Sequence, residues 1–296
     1  MQVQVLSWAL FISFLPSESR SYPIPSYIRT SFRTLSTISP KLAARLAEPL
    51  FFRPLRFPVP EREMHFRKSA ISGFHKNEDG RIHWFHIPGA GRNLLFVHGW
   101  SGRGSQFANM MEAAAESGYN VYTFDAPGHG EELKKRTDML AFVRAILWMN
   151  EEFGPFELAV GHSLGGMALW NAYAQGLPLK KLVNIGSPSS IEGVLGDFVN
   201  AIGARLRVRD HMLQTLAAKY EIEPATLSPV SIVRESKVLK GALVHDEDDH
   251  DVPIVHAEAL AKVWTEADFI RSSGLGHRRI LRDQEVIRRC LQVLSV

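Results

Sequence analysis

Hydrophobic residues in this chain fall into short unbroken runs, separated by longer stretches in which they recur every three or four positions. Asn93 to His98 (NLLFVH), Tyr119 to Phe124 (YNVYTF), Leu158 to Val160, Leu179 to Ile185 and Val238 to His245 (VLKGALVH) are the continuous runs. Runs of this length and composition are what a parallel sheet buries on both faces. Between them, Leu133, Leu140, Phe142, Val143, Ile146 and Leu147 recur at helical spacing, and Met167, Ala168, Leu169 and Trp170 open another helix. Arg81 to Ile87 (RIHWFHI) and Phe269 to Ser273 predict further strands, and Ile280 to Leu294 a closing helix. Strand and helix alternate, which predicts an α/β protein whose mostly parallel central sheet has right-handed crossovers and flanking helices.

The alternation fails in two places. Ser187 to Lys237 holds helix-like pieces at Val194 to Ala204 and Arg209 to Tyr220 but no strand. It reads as a short helical cap, at about residues 188–237, inserted over the carboxyl ends of the strands. At the other end, Pro16 to Pro40 is rich in Ser, Pro and Tyr and reads as a linker. Ser39-Pro40 then opens LAARLAEPLFF, where Leu42, Leu46, Leu50 and Phe51 predict an amphipathic helix laid against the main body. The expected organisation is a flexible extension over residues 1–40 followed by one domain over residues 41–296. A chain of 296 residues with 45% hydrophobic content can build a sizeable core of this kind.

Charge adds little. The formal net charge is +3 and the basic residues are scattered, with Lys134, Lys135 and Arg136 the densest run. This argues for solvated faces and against a nucleic-acid surface. Cys290 is the single cysteine, so no intrachain disulfide can form, which fits a reducing compartment. A cytoplasmic location is expected. Val3 to Leu15 is the one apolar run through which the chain could contact a membrane, and no basic residue precedes it as in a secretory signal.

The chemistry-bearing stretch is Phe156 to Asn171 (FELAVGHSLGGMALWN), a strand, a sharp turn and a helix with Ser163 at the turn. A serine nucleophile held at such a tip needs small neighbours two residues before and two after, and Gly161 and Gly165 supply them. The first N–H groups of the following helix lack intrahelical partners, so the N–H of Leu164 is available to stabilise an oxyanion. The loop Gly99-Trp100-Ser101-Gly102-Arg103-Gly104 follows the first long strand and lacks the lysine of a phosphate-binding loop. The N–H of Trp100 becomes the second oxyanion donor. His277, in the glycine-flanked loop after the last strand, is the candidate general base. His98, His129 and His162 are expected to hold loops. A carboxylate to orient the histidine belongs after Val238 to His245, where Asp246, Glu247, Asp248, Asp249 and Asp251 compete. Their spacing does not suit a calcium loop.

Together these motifs resemble the α/β-hydrolase superfamily from about Arg81 to the carboxyl terminus. The resemblance rests on His98-Gly99-Trp100, Asp125-Ala126-Pro127-Gly128-His129-Gly130, the turn Gly161 to Gly165, and the chain order Ser, Asp, His. In that family the acid stands three residues before a Val-Pro pair, which selects Asp249 ahead of Val252-Pro253. The resemblance implies a serine hydrolase acting on a small-molecule carboxylic ester or thioester through Ser163, His277 and Asp249, with no metal or cofactor. It leaves open an acyltransferase on the same triad, or a ligand-binding protein that has kept the fold without catalysis.

Overall fold

The computed structural model describes residues 24–132, 136–236 and 239–295. Its centre is one eight-stranded sheet in the order β1-β2-β4-β3-β5-β6-β7-β8. The strands are β1 (Ile71–Asn77), β2 (Gly80–Ile87), β3 (Asn93–Val97), β4 (Asn120–Asp125), β5 (Leu158–His162), β6 (Lys181–Ile185), β7 (Lys240–Asp246) and β8 (Ala267–Ser272). From β4 to β8 all neighbours are parallel; β1 and β2 form an antiparallel hairpin that joins the sheet through β4. This is the mostly parallel sheet that the apolar runs predict.

Alternation along the strands divides the core. Leu95, Val97, Ala159, Leu182 and Leu243 enter one apolar cluster, with helices α5 (Met139–Phe153) and α6 (Leu164–Ala174). Their chain neighbours Leu94, Phe96, Leu158, Val160, Val183 and Val244 enter the other, with α4 (Ala108–Glu116) and α12 (Gln284–Ser295). Side chains of successive strand residues point to opposite faces, and here both faces are covered, so the runs carry no polar alternation. The Asp138 carboxylate caps α5 by accepting from Ala141 N–H (3.0 Å), which explains why the helix starts at Met139. Leu133, Lys134 and Lys135 lie outside the described residues, as does the apolar run at positions 3–15.

The amino-terminal segment differs from its sequence reading. Where Pro16 to Pro40 reads as linker, Ser26–Ile38 is a helix, α1, whose Phe32 and Ser36 are buried. Its Ser/Thr/Arg-rich sequence hides a narrow stripe of Ile28, Phe32 and Leu35, which joins a satellite cluster. The next helix, α2 (Pro40–Phe51), forms as expected, but with the opposite face inward. Ala43, Ala44 and Ala47 are buried, whereas Leu42, Leu46 and Leu50 are exposed. Helices that approach closely need small residues at the contact, so the alanine stripe packs against its neighbours and the leucines turn to solvent. Those neighbours include α7 (Ile191–Ala201) and α8 (Arg207–Tyr220), which with α9 (Pro229–Glu235) fill the stretch between β6 and β7. Two short helices, α10 (Val255–Ala261) and α11 (Gly276–Arg279), complete the chain around β8. No described helix is long and apolar enough to cross a membrane.

One buried ion pair ties α3 (Glu61–Ser69) to the loop that follows β3. Glu63 accepts from Arg103 Nε (2.6 Å) and Nη2 (3.1 Å) and from Ser105 Oγ (2.8 Å), and both charged side chains are 7% exposed. Removing one partner of such a pair leaves the other charge buried and uncompensated. Glu63→Ala should therefore lose about 3–5 kcal/mol of stability in urea denaturation. A loss below about 1 kcal/mol, the range of exposed pairs, would show that the pair does not anchor this loop.

Candidate active site

Ser163 sits between the end of β5 and the start of α6 at φ 54°, ψ −125°, a backbone conformation that non-glycine residues rarely adopt. The surroundings enforce it. Ser163 N–H donates to Ile185 O at the end of β6 (2.9 Å), and its carbonyl accepts from Ser187 Oγ (2.8 Å). A Cβ on Gly161 would stand 2.5 Å from Gly166 Cα, and one on Gly165 would stand 2.6 Å from His98 O. The glycines flanking Ser163 are thus required by backbone-to-backbone contact, as the sequence pattern implies.

The loop after β3 lies directly against the serine. A Cβ on Gly99 would come within 2.6 Å of Ser163 Cβ and 3.2 Å of its Oγ, so only glycine lets the Gly99-Trp100 backbone approach the hydroxyl. The next residue, Ser101, is also left-handed (φ 58°). Its N–H donates to His129 Nε2 (3.0 Å), and its Oγ accepts from Leu55 N–H (2.9 Å). His129 Nδ1 faces the Pro127 carbonyl (3.2 Å), which fixes the tautomer: proton on Nδ1, lone pair on Nε2. His98 is used the same way, with Nδ1 on Gly99 O (2.7 Å) and Nε2 accepting from Ala126 N–H (3.0 Å). Burial pushes the pKa of His98 down and that of His129 well down, and both rings serve as neutral loop anchors.

The competing acids take different places. Asp249 Oδ2 is 2.7 Å from His277 Nδ1, while Asp249 Oδ1 accepts from the N–H groups of Asp251 and Val252 (both 2.9 Å). Burial works against its ionisation, but the hydrogen bond and charge of His277 and the Val252 N–H outweigh burial and hold the carboxyl below its usual range. Asp246 is equally buried but faces away from the imidazole. It accepts from Ser272 Oγ (2.7 Å) and from the N–H groups of Leu275 (3.1 Å), Gly276 (2.8 Å) and Asp248 (3.1 Å), clamping the loop that carries His277. Asp248 is exposed and bonds Ser273 and Gly274, and Glu247 is exposed as well.

Sequence reasoning missed two contributors, His245 and Gly186, and expected a third, His162, to hold a loop. His245 donates to Val252 O (2.8 Å) and so holds the turn beyond Asp249; it hides at the end of an apolar run. Gly186, at φ 53°, leaves room where a Cβ would come within 3.3 Å of both Asp249 Oδ2 and His277 Nδ1. His162, next to Ser163, donates from Nε2 to the His277 carbonyl (2.8 Å), and the two rings lie 4.4 Å apart. The structure thus joins Asp249 to His277 directly and brings Ser163 to the same strand ends through His162. Among the described residues no hydrogen bond joins Ser163 Oγ to His277, whose ring Nδ1 meets Asp249. The N–H of Leu164 opens α6 and has no preceding turn to pair with. Of the arginines between β6 and β7, Arg205 bonds Thr37 and Arg209 bonds its neighbour Asp210. Among the described residues, no three His, Cys, Asp or Glu side chains are arranged to hold a metal ion.

Comparison with known proteins agrees with this architecture. The family model for the α/β-hydrolase fold matches residues 92–205. Among solved structures, a carboxylesterase of the thaumarchaeon Nitrososphaera gargenis superimposes with a TM-score of 0.57 at 14% identity, covering 75% of this chain and 98% of its own. The esterase domain of a Rhodothermus marinus protein gives 0.55 at 19% identity (77% and 96% covered). Mouse α/β-hydrolase domain-containing protein 10 gives 0.56 at 15% identity (76% and 96% covered). No curated protein matches by sequence. With the sheet order, the family model over residues 92–205 and the solved neighbours in agreement, this chain has the α/β-hydrolase fold.

Proposed function

We propose that this protein is a serine hydrolase that cleaves carboxylic ester or thioester bonds through an acyl-enzyme. The observation that carries the reading is the 2.7 Å contact between buried Asp249 and His277, set at the strand ends where the strained Ser163 also stands. Ser163 Oγ attacks the acyl carbonyl while His277 Nε2 takes its proton; Asp249 holds the opposite ring nitrogen and stabilises the imidazolium. The tetrahedral oxyanion is met by the N–H groups of Trp100 and Leu164. His277 returns the proton to the leaving alcohol or thiol. Water, deprotonated by the same imidazole, then releases the acid. That solved neighbours include a carboxylesterase, an esterase domain and a thioesterase domain supports this choice of bond.

Ser163→Ala should lower kcat for nitrophenyl esters by about 10⁴-fold or more with an unchanged thermal melt, and should abolish labelling by a fluorophosphonate probe. Full turnover in that variant would refute the assignment. The acids separate by phenotype. Asp249→Asn should cost roughly 10³–10⁴ in kcat with little change in stability, because the amide oxygen can keep the Asp251 and Val252 N–H bonds while the contact that orients His277 is lost. Asp246→Asn should lower stability, because it loosens a clamp of four hydrogen bonds. The reverse pattern would move the acid to Asp246.

The pH dependence has a definite sign. The pKa values of His98, His129, His162 and His245 are all lowered by burial, so the folded chain resists protonation where an unfolded histidine, with a pKa near 6.5, accepts it. Their contribution is complete above about pH 6.5 and is lost as pH falls below it, by up to ~1.4 kcal/mol per pH unit for each histidine. Thermal melts between pH 7.5 and 5 should show this decline, and His129→Gln should make it shallower. A flat profile would mean that these rings protonate in place.

A further inference from the structure

The second helix presents an inverted amphipathicity that the candidate site does not explain. Its inner face is alanine, and its outer face carries Leu42, Leu46 and Leu50, which are 45%, 53% and 45% exposed and lie at i, i+4 and i+8 on one stripe. Ile38, at the end of α1, is 77% exposed just before it. The flanking charges are of one sign. Lys41 and Arg45 on the helix and Arg53 just beyond it are exposed and form no ion pair among the described residues. The helix's single acid, Glu48, is turned toward Arg136 (3.7 Å) and Lys219 (3.9 Å) and is largely covered. A row of large apolar side chains bordered by unpaired cations is what an interfacial helix offers to a membrane: leucines for the acyl boundary and cations for anionic headgroups.

We propose that the outer face of α2 docks on an anionic lipid surface. Charge selects this occupant over the two others available. Residues 1–23 carry one acid, Glu18, beside one base, Arg20, and so offer no net negative charge to Lys41, Arg45 and Arg53. A second copy of the chain would set the same cations against themselves across a symmetric contact. An anionic bilayer satisfies both the leucines and the charges. The surface is independent of the proposed chemistry, although the chain leaving α2 runs straight to the loop beside Ser163, where Leu55 N–H bonds Ser101 Oγ (2.9 Å).

The test is flotation of the full-length chain with vesicles of phosphatidylcholine alone and of phosphatidylcholine mixed with phosphatidylglycerol. The expected result is binding to the mixed vesicles that weakens with salt. Replacing Leu42, Leu46 and Leu50 with Ser should weaken it roughly tenfold per leucine, about half the effect of full side-chain burial. Replacing Lys41, Arg45 and Arg53 with Gln should remove the preference for phosphatidylglycerol, roughly fivefold per charge at low salt. All six positions are exposed, so both variants should retain the wild-type melt. No binding by the wild type overturns the proposal. So does unchanged binding by the leucine variant, which would assign membrane contact to residues 1–23. A dimer that the leucine variant dissociates, without vesicle binding by the wild type, would make a second copy the occupant and overturn it as well.

Discussion

Backbone must touch backbone at the end of β5, and much of the surrounding structure follows from that. Ser163 keeps its left-handed conformation because β5, α6 and the loop after β3 converge on it with no side chain between them: Gly161 against Gly166, Gly165 against His98 O, and Gly99 against Ser163 itself. The strain at a non-glycine residue of this kind costs of order 1–3 kcal/mol and persists only where neighbours over-determine it. Here hydrogen bonds from Ser163 N–H to β6 and from Ser187 to its carbonyl add to the three close approaches. The apolar clusters on the two faces of the sheet hold these segments in place.

Around this crossing, polar side chains divide the work by protonation state. His98 and His129 accept N–H groups and must be neutral to do so, while Asp246 and Asp249 accept from several donors and must be charged. Buried polar groups are tolerated when each is matched, and the loops bordering Ser163 are built from such matched pairs. The Glu63–Arg103 pair extends the pattern one layer outward. Backbone amides can therefore be aimed at a small volume without relying on regular secondary structure.

The sheet was legible in the sequence because its strands are buried on both faces, so that composition alone marks them. Ser163, His277 and their loops were legible because glycine and strand-end position constrain them tightly. The rest depended on partners that a local pattern does not contain. Edge strand β1, ISGFHKN, has neither a continuous apolar run nor a clean alternation. In α2, leucine outranks alanine on any hydrophobicity scale, yet the shape of neighbouring helices put alanine inside. Spacing left five acids open after β7, and the choice of Asp249 came from the family resemblance alone; the tertiary turn sets Asp249 against the imidazole and Asp246 against the loop's amides.

His256 joins two parts of the molecule that the chain keeps apart. It belongs to α10, immediately after the Asp249–Pro253 turn, and it bonds Ser189 through Nδ1 (3.0 Å) and Asp197 of α7 through Nε2 (3.1 Å). A Cβ on Gly193 of α7 would clash with this ring. Helix α7 and the turn bearing Asp249 are thus geared together. Any displacement of α7 must either part it from His256 or pull on the turn that holds Asp249 against His277, so the position of α7 and the orientation of that imidazole are mechanically linked.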